Sequence, residues 1–139
     1  MPPLNHAVLS ASSAYRWLEC PPSALATADI PDETTIYAQE GSAAHEMAEY
    51  KIRWHLGEKD LAPPNIGNFH AEEIDRYTDS YAYYATDKIE TIRKICPDAI
   101  VMVEQRLDFS NYVKDGFGTG DLVIVADDVM QVIDLSTAK

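Results

Sequence analysis

The sequence predicts an α+β fold in which N-terminal helices pack on a three-stranded antiparallel meander. Two observations carry this. Up to Pro97 apolar residues recur at helical spacing, with serine and glycine at the expected helix ends. Beyond Pro97 the pattern changes to three short runs rich in Val and Ile, separated by turn-forming residues. A chain of 139 residues suits one domain with a single core, divided into a helical part (1–97) and a β-meander (98–139).

The first helical stretch, SASSAYRWLECPPSALA, opens with serines able to cap a helix and continues with Tyr15, Trp17 and Leu18. Pro21 and Pro22 then end or redirect it. DIPDETTI is a loop. In YAQEGSAAHEMAEYKIRWHLG, a helix of roughly four turns, Ser42 is the expected N-cap and Gly57 the C-terminal glycine. Ala44, Ala48 and Ile52 recur every four residues and give a smooth face able to lie close to a sheet.

A longer helix is expected from Phe69 to about Ile95, with Ile74, Tyr77, Tyr81, Tyr84, Ile92 and Ile95 as its apolar stripe and Pro97 closing it. Its cluster of Tyr81, Tyr83 and Tyr84 reads either as a base-stacking platform or as rings packed on the core. The strands follow as AIVMVEQRLDF, GDLVIVA and VMQVIDLS, the last two joined into a hairpin by the tight turn ADDV.

Composition narrows the function classes. Hydrophobic residues make up 46% and charged residues 24%, as in ordinary globular domains. No apolar run approaches the ~18 residues of a membrane span. The N-terminus, MPPLNHAVLSASSAY, has no basic region followed by an apolar stretch, so no signal peptide is expected and a cytoplasmic location is. Cys20 and Cys96 each precede a proline and have neither zinc nor disulfide-framework spacing, so two buried free thiols are expected. With 23 acidic against 11 basic residues the net charge is −12, the wrong overall sign for gripping phosphates. Three explanations stay open: carboxylates that ligate a cation, an acidic surface for a basic partner, or acidity that keeps the protein soluble.

The chemistry-bearing residues start with the hairpin. Side chains alternate along a strand, so Asp121 shares a face with Val123 and Val125, and Asp134 with Met130, Val132 and Ser136. A carboxylate among β-branched residues is expensive to bury unless it is paired or metal-bound. Two aspartates near one end of adjacent strands make a candidate Mg2+ or Mn2+ site. The helix adds His45 and Glu49, four residues apart on one face. An imidazole beside two strand aspartates suits Mn2+ or Mg2+ better than a structural zinc. The plainer alternative is a surface histidine paired with Glu49.

SASSAYRWLECPPSA, YAQEGSAAHEMAE, VEQRLDFS, GFGTGD and VIDL stand in an order that carries a resemblance. Over nearly its whole length the chain resembles a phage and prophage family of RecB-like nucleases in the PD-(D/E)XK superfamily. The resemblance implies a truncated PD-(D/E)XK (restriction-endonuclease-like) core. It implies that His45, Asp121 and Asp134 ligate Mg2+ or Mn2+. It also implies that Asp121 and Asp134, with Glu104 on the first strand, serve DNA cleavage. The family pattern departs at one point: it expects Asp-x-Lys, typically continuing as DLKYGKG, and this chain reads DLSTAK. Ser136 stands in the lysine position. Lys139 is the remaining cationic candidate, although strand alternation points it to the opposite face.

The resemblance further implies that the polypeptide corresponds to the N-terminal part of such a nuclease. A deliberately cut fragment, a gene remnant and a shortened protein with a new role all stay open. The expectation is therefore a cation-binding, DNA-nuclease-type domain with little or no cleavage. Its sheet edge would be covered by a homodimer or by another host or phage protein. Two readings from other classes compete with it. One is a small acidic phage inhibitor, of the anti-CRISPR type, that binds a host nucleic-acid-binding protein. The other is an interaction module without a further ligand.

Overall fold

The computed structural model describes residues 7–10, 13–30, 36–67 and 71–136. The chain is α+β: helices α1 (Ala14–Glu19), α2 (Pro22–Ala26), α3 (Ile36–His55) and α4 (Ala71–Ile95) precede strands β1 (Ile100–Asp108), β2 (Phe117–Ala126) and β3 (Val129–Ile133). The strands form an antiparallel sheet in the order β1-β2-β3. Among the described residues no helix is long and apolar enough to cross a membrane. The chain divides into two compact units, one of Thr34–Gln105 with Gly120–Lys139, the other of Met1–Glu33 with Arg106–Thr119.

The first of these units holds the main core. Ala44, Ala48 and Ile52 of α3 are buried, as the spacing predicts. Ile52 joins Ala82, Ala85 and Ile89 of α4 and Leu122 and Ile124 of β2 in one apolar cluster. The smooth face of α3 is thus shared between α4 and the sheet. Helix α3 begins at Ile36, so Ser42 is an interior residue and not the N-cap. A glycine inside a helix costs about 1 kcal/mol, and Gly41 is tolerated because packing supports the turn that follows. Ala43 and Ala44 are buried with Ile74, flanked by Met47, Tyr77, Ile66 and Leu135.

The C-terminal end of α3 follows expectation in detail. Gly57 has φ 110°, its N–H donates to Trp54 O at 3.2 Å, and the Glu58 N–H donates to Arg53 O at 3.0 Å. These are the paired bonds of a Schellman cap with glycine at the left-handed position. Nothing lies within 4 Å of the site a Cβ would occupy, so the penalty of a side chain there is conformational only. Gly57→Ala is expected to lower stability by about 1 kcal/mol, read as a shifted urea midpoint with an unchanged slope.

Helix α4 buries Ile74, Thr78, Ala82, Ala85, Thr86 and Ile89, which differs from the expected stripe. Tyr84 and Ile95 are exposed, Ile95 at 82%. Of the expected stripe Ile74 is buried and Tyr77, Tyr81 and Ile92 pack half-buried against the core, while the small residues Ala82, Ala85 and the threonines fill the closest contacts. The threonines are satisfied locally: Thr78 Oγ1 donates to Ile74 O at 2.6 Å and Thr86 Oγ1 to Ala82 O at 2.8 Å. Of the tyrosine cluster only Tyr81 packs on the core, while Tyr83 and Tyr84 face outward. Lys51 pins α3 to α4, its Nζ 2.7 Å from Asp75 Oδ1, 2.6 Å from Asp79 Oδ1 and 2.9 Å from Thr78 Oγ1. Phe69, the expected start of α4, lies outside the described residues.

In the hairpin Leu122 pairs with Ile133, Val123 with Val132, Val125 with Met130 and Ala126 with Val129. This register leaves Asp127 and Asp128 as a two-residue turn, with Asp127 at φ 52°, the conformation such turns demand. Val129, Met130 and Val132 on the edge strand β3 are exposed.

In the other unit, Ser13 occupies the N-cap of α1 but makes no side-chain cap bond. Its hydroxyl instead meets Ser10 Oγ at 2.6 Å, and the Trp17 indole N–H donates to Ser10 O at 2.8 Å. Pro22 then starts α2, in keeping with a proline redirecting the chain. Gly116 lies against the Phe109 ring, where an added Cβ would approach to 2.7 Å, and the Arg106 guanidinium stacks 3.8 Å from the Phe117 ring centre. The expectation of two buried thiols holds for Cys96 alone; Cys20 is exposed. Cys20 is the C-cap of α1, a helix that buries none of its own residues.

Candidate metal centre

The centre lies where α3, β1 and the β2–β3 hairpin meet within the larger unit. His45 sits on α3 one residue after the fully buried Ala44, so the packing that seats Ala44 also fixes the direction of the imidazole. Its Nδ1 lies 3.1 Å from Asp121 Oδ2. Glu49 does not partner His45; it accepts from Arg53 Nε at 2.8 Å. The surface His45–Glu49 pair is therefore not formed.

Asp121 lies in β2 next to Leu122, and the regular ladder gives way at this point. The Asp121 N–H donates to Asp134 Oδ1 at 3.0 Å, and the Leu135 N–H donates to Asp121 Oδ2 at 2.7 Å. The two aspartates face each other across the hairpin, each accepting from the partner segment's backbone. Asp134 follows immediately on the last residue of β3. Its position opposite Asp121 continues the register of Leu122 with Ile133. Tyr81 of α4 donates its hydroxyl to Ile133 O at 3.2 Å and so ties the helix to this end of the hairpin.

Glu104 completes the cluster from β1. It has φ 53°, a left-handed conformation uncommon for a residue with a side chain. One ligand atom each from His45, Glu104 and Asp121 lie within 4.8 Å of one another. Among the described residues Asp134 is not part of that triplet; it stands beside it through the bond to the Asp121 backbone. Lys139 lies outside the described residues.

The electrostatics match the geometry. The His45 pKa is raised above its usual 6.5, chiefly by the hydrogen bond to Asp121, with burial opposing and the charges of Asp121, Glu104 and Asp134 adding to the rise. Burial pushes the Glu104 carboxyl up, and the nearby charges of Asp121 and Glu49 push it further. The Tyr81 phenol is raised strongly by burial and by the same three carboxylates, so it stays a hydrogen-bond donor. A half-buried group of acids that repel one another is a place where a positive charge lowers the energy.

Strand alternation set Asp121 beside Asp134, whereas the roles of His45 and Glu104 beside them were what the family resemblance implied. Both signals missed Arg53, Tyr81 and the left-handed turn at Glu104. For Arg53 one signal existed: it continues the four-residue spacing of His45 and Glu49 along one face of α3.

No solved structure matches the chain. A family model described as "Protein of unknown function (DUF2800)" matches residues 6–138. Since the match spans the helices, the strands and every residue of the cluster, the chain belongs to the DUF2800 family.

Proposed function

We propose that this chain carries the cation site of a RecB-like, PD-(D/E)XK-type nuclease domain, formed by His45, Glu104 and Asp121 with Asp134 at its margin. On this reading the domain binds Mg2+ or Mn2+ and DNA, and cleaves weakly. The observation that carries the reading is the convergence of three ligand atoms, from α3, β1 and β2, within 4.8 Å. The donor set fits the group: one imidazole nitrogen with carboxylate oxygens suits Mn2+ or Mg2+, and no thiolate is present to favour a structural zinc. When bound, such a cation supplies an acidified water and positive charge against a phosphate.

The chain's own groups have separable roles in this scheme. His45, Glu104 and Asp121 supply donor atoms. Asp134 fixes the Asp121 backbone and offers a further oxygen at the margin. Tyr81 holds the backbone next to Asp134. Ser136, where the family pattern has lysine, brings no positive charge to orient and activate a water. General acid–base help of that kind is worth about 10²–10⁴ in rate, which supports weak cleavage.

The test uses linear duplex DNA with Mn2+, alongside calorimetry with Mn2+ alone. The unaltered chain is expected to bind Mn2+ and leave DNA nearly intact. Ser136→Lys is expected to gain Mn2+-dependent cleavage, which a further Asp121→Asn change removes. Rapid degradation by the unaltered chain, absent in Asp121→Asn, would overturn the weakened-enzyme part of the reading. Failure to bind Mn2+ would overturn the site itself.

A further inference from the structure

We propose that Arg53 is a positioning residue of this centre: its guanidinium holds the left-handed kink in β1 that aims Glu104 at His45 and Asp121. The inference rests on reading the cluster as a cation site.

Arg53 is anchored on its own side of the structure. Its Nε donates to Glu49 Oε1 at 2.8 Å and its Nη1 lies 3.5 Å from Glu58 Oε1. The remaining arm, Nη2, donates to Val103 O at 3.1 Å. That carbonyl belongs to the peptide unit leading into Glu104. The torsion φ of Glu104 is the rotation between this peptide unit and the rest of the residue, so gripping the carbonyl sets one side of the torsion. The other side is constrained by the strand, which continues to Asp108.

The kink has a visible consequence. Alternation sends neighbouring strand residues to opposite faces. Val103 packs on the core that α3 and α4 share with the sheet. Glu104, the next residue, nevertheless has a carboxylate oxygen within 4.8 Å of His45 on the same helix α3. Left-handed turns of this kind inside strands re-aim side chains, and they gather at functional sites. Nothing about Glu104 itself favours this conformation; glycine would take it without strain. A fixed guanidinium on the preceding carbonyl is the restraint that the structure supplies.

A rival explanation, that Arg53 matters only as a charge, predicts the opposite sign. A guanidinium near a cation site repels the cation, so removing it would strengthen binding through Coulomb's law alone. Positioning predicts weaker binding.

The experiment is a double-mutant cycle on the full chain with Arg53→Met and Glu104→Gly, read by Mn2+ calorimetry and by thermal unfolding. Arg53→Met is expected to raise the Mn2+ Kd by about 10–100-fold, as loss of an orienting partner does. Arg53→Lys keeps the charge but loses the fork, and is expected to weaken binding too. In the Glu104→Gly background, where the carboxylate is gone, Arg53→Met should weaken the residual Mn2+ binding no further, since only the charge effect, which favours binding, remains.

For unfolding, Arg53→Met should lower the Tm by about 4 °C in the parent chain and by less than half of that with glycine at 104, because glycine holds the kink unaided. Tighter Mn2+ binding by Arg53→Met, or equal Tm losses in both backgrounds, would overturn the inference. Should the unaltered chain bind no Mn2+, the cation reading fails on its own, and the unfolding cycle still decides the role of Arg53.

Discussion

Asp121→Ala is expected to abolish Mn2+ binding and to lower the unfolding free energy by about 1 kcal/mol, the low end of the cost of an unsatisfied polar group, because the groups that lose their acceptor are half-buried. Two groups depend on this carboxylate. Its Oδ2 accepts from the Leu135 N–H at 2.7 Å and faces His45 Nδ1 at 3.1 Å. The side chain is only 15% exposed, so water is a poor substitute for it. Alanine would leave both groups without an acceptor at the point where the hairpin ladder already relies on side chains. Asp121→Asn separates the two effects. The amide oxygen can still accept from Leu135, so most of the stability should remain. The neutral amide is a weak ligand, so cation binding should be lost. Urea unfolding and calorimetry on both variants check this; unchanged Mn2+ affinity in the alanine variant would refute the site.

Lowering the pH is expected to weaken Mn2+ binding by about tenfold per unit in the range where His45 is protonated, because the proton must leave before the nitrogen can ligate. The sign follows from linkage. The pKa of His45 is raised in the folded chain above its ordinary 6.5, first by the bond to Asp121. The stability contributed by that pair is fully present below about 6.5 and fades as the pH rises through the raised folded value. Cation affinity runs the other way, rising across the same window and levelling off above it. Glu104, also raised, strengthens the trend at the acidic end, since its proton too must leave. Proton and cation thus compete for one place between the same groups. Calorimetry with Mn2+ from about pH 5.5 to 8.5 should show the slope, and His45→Gln should flatten its upper part. A flat profile for the unaltered chain would mean that His45 is not a ligand.

The degree to which the fold was legible differs from element to element. The Schellman end of α3 was readable because a single glycine at one position decides it. The hairpin was readable because its register follows from a two-residue turn. The start of α3 was not: Ser42 has the chemistry of an N-cap, yet burial of Ala43 and Ala44 extends the helix back to Ile36 through Gly41. The stripe of α4 was half readable. Apolar spacing selected Tyr84 and Ile95, whereas the contact with the alanines of α3 selects Ala82 and Ala85. Cys20 shows the same limit, since burial depends on what covers a residue and not on its type.

At the centre, the sequence by itself determined which chemistry is present: one helix histidine, two hairpin aspartates set opposite each other by a tight turn, and an acid on the first strand. The helix face and the hairpin pair follow from local rules of period 3.6 and period two, which act over a few residues, while the first-strand acid was singled out by the family resemblance alone. Only the tertiary structure decided that His45 meets Asp121 and not Glu49, and that Asp134 stands beside the triplet as a support. It alone turned Glu104 inward under the grip of Arg53. These choices depend on how α3 seats its small side chains against α4 and the sheet. They join residues far apart in the chain, a distance over which no periodicity carries information.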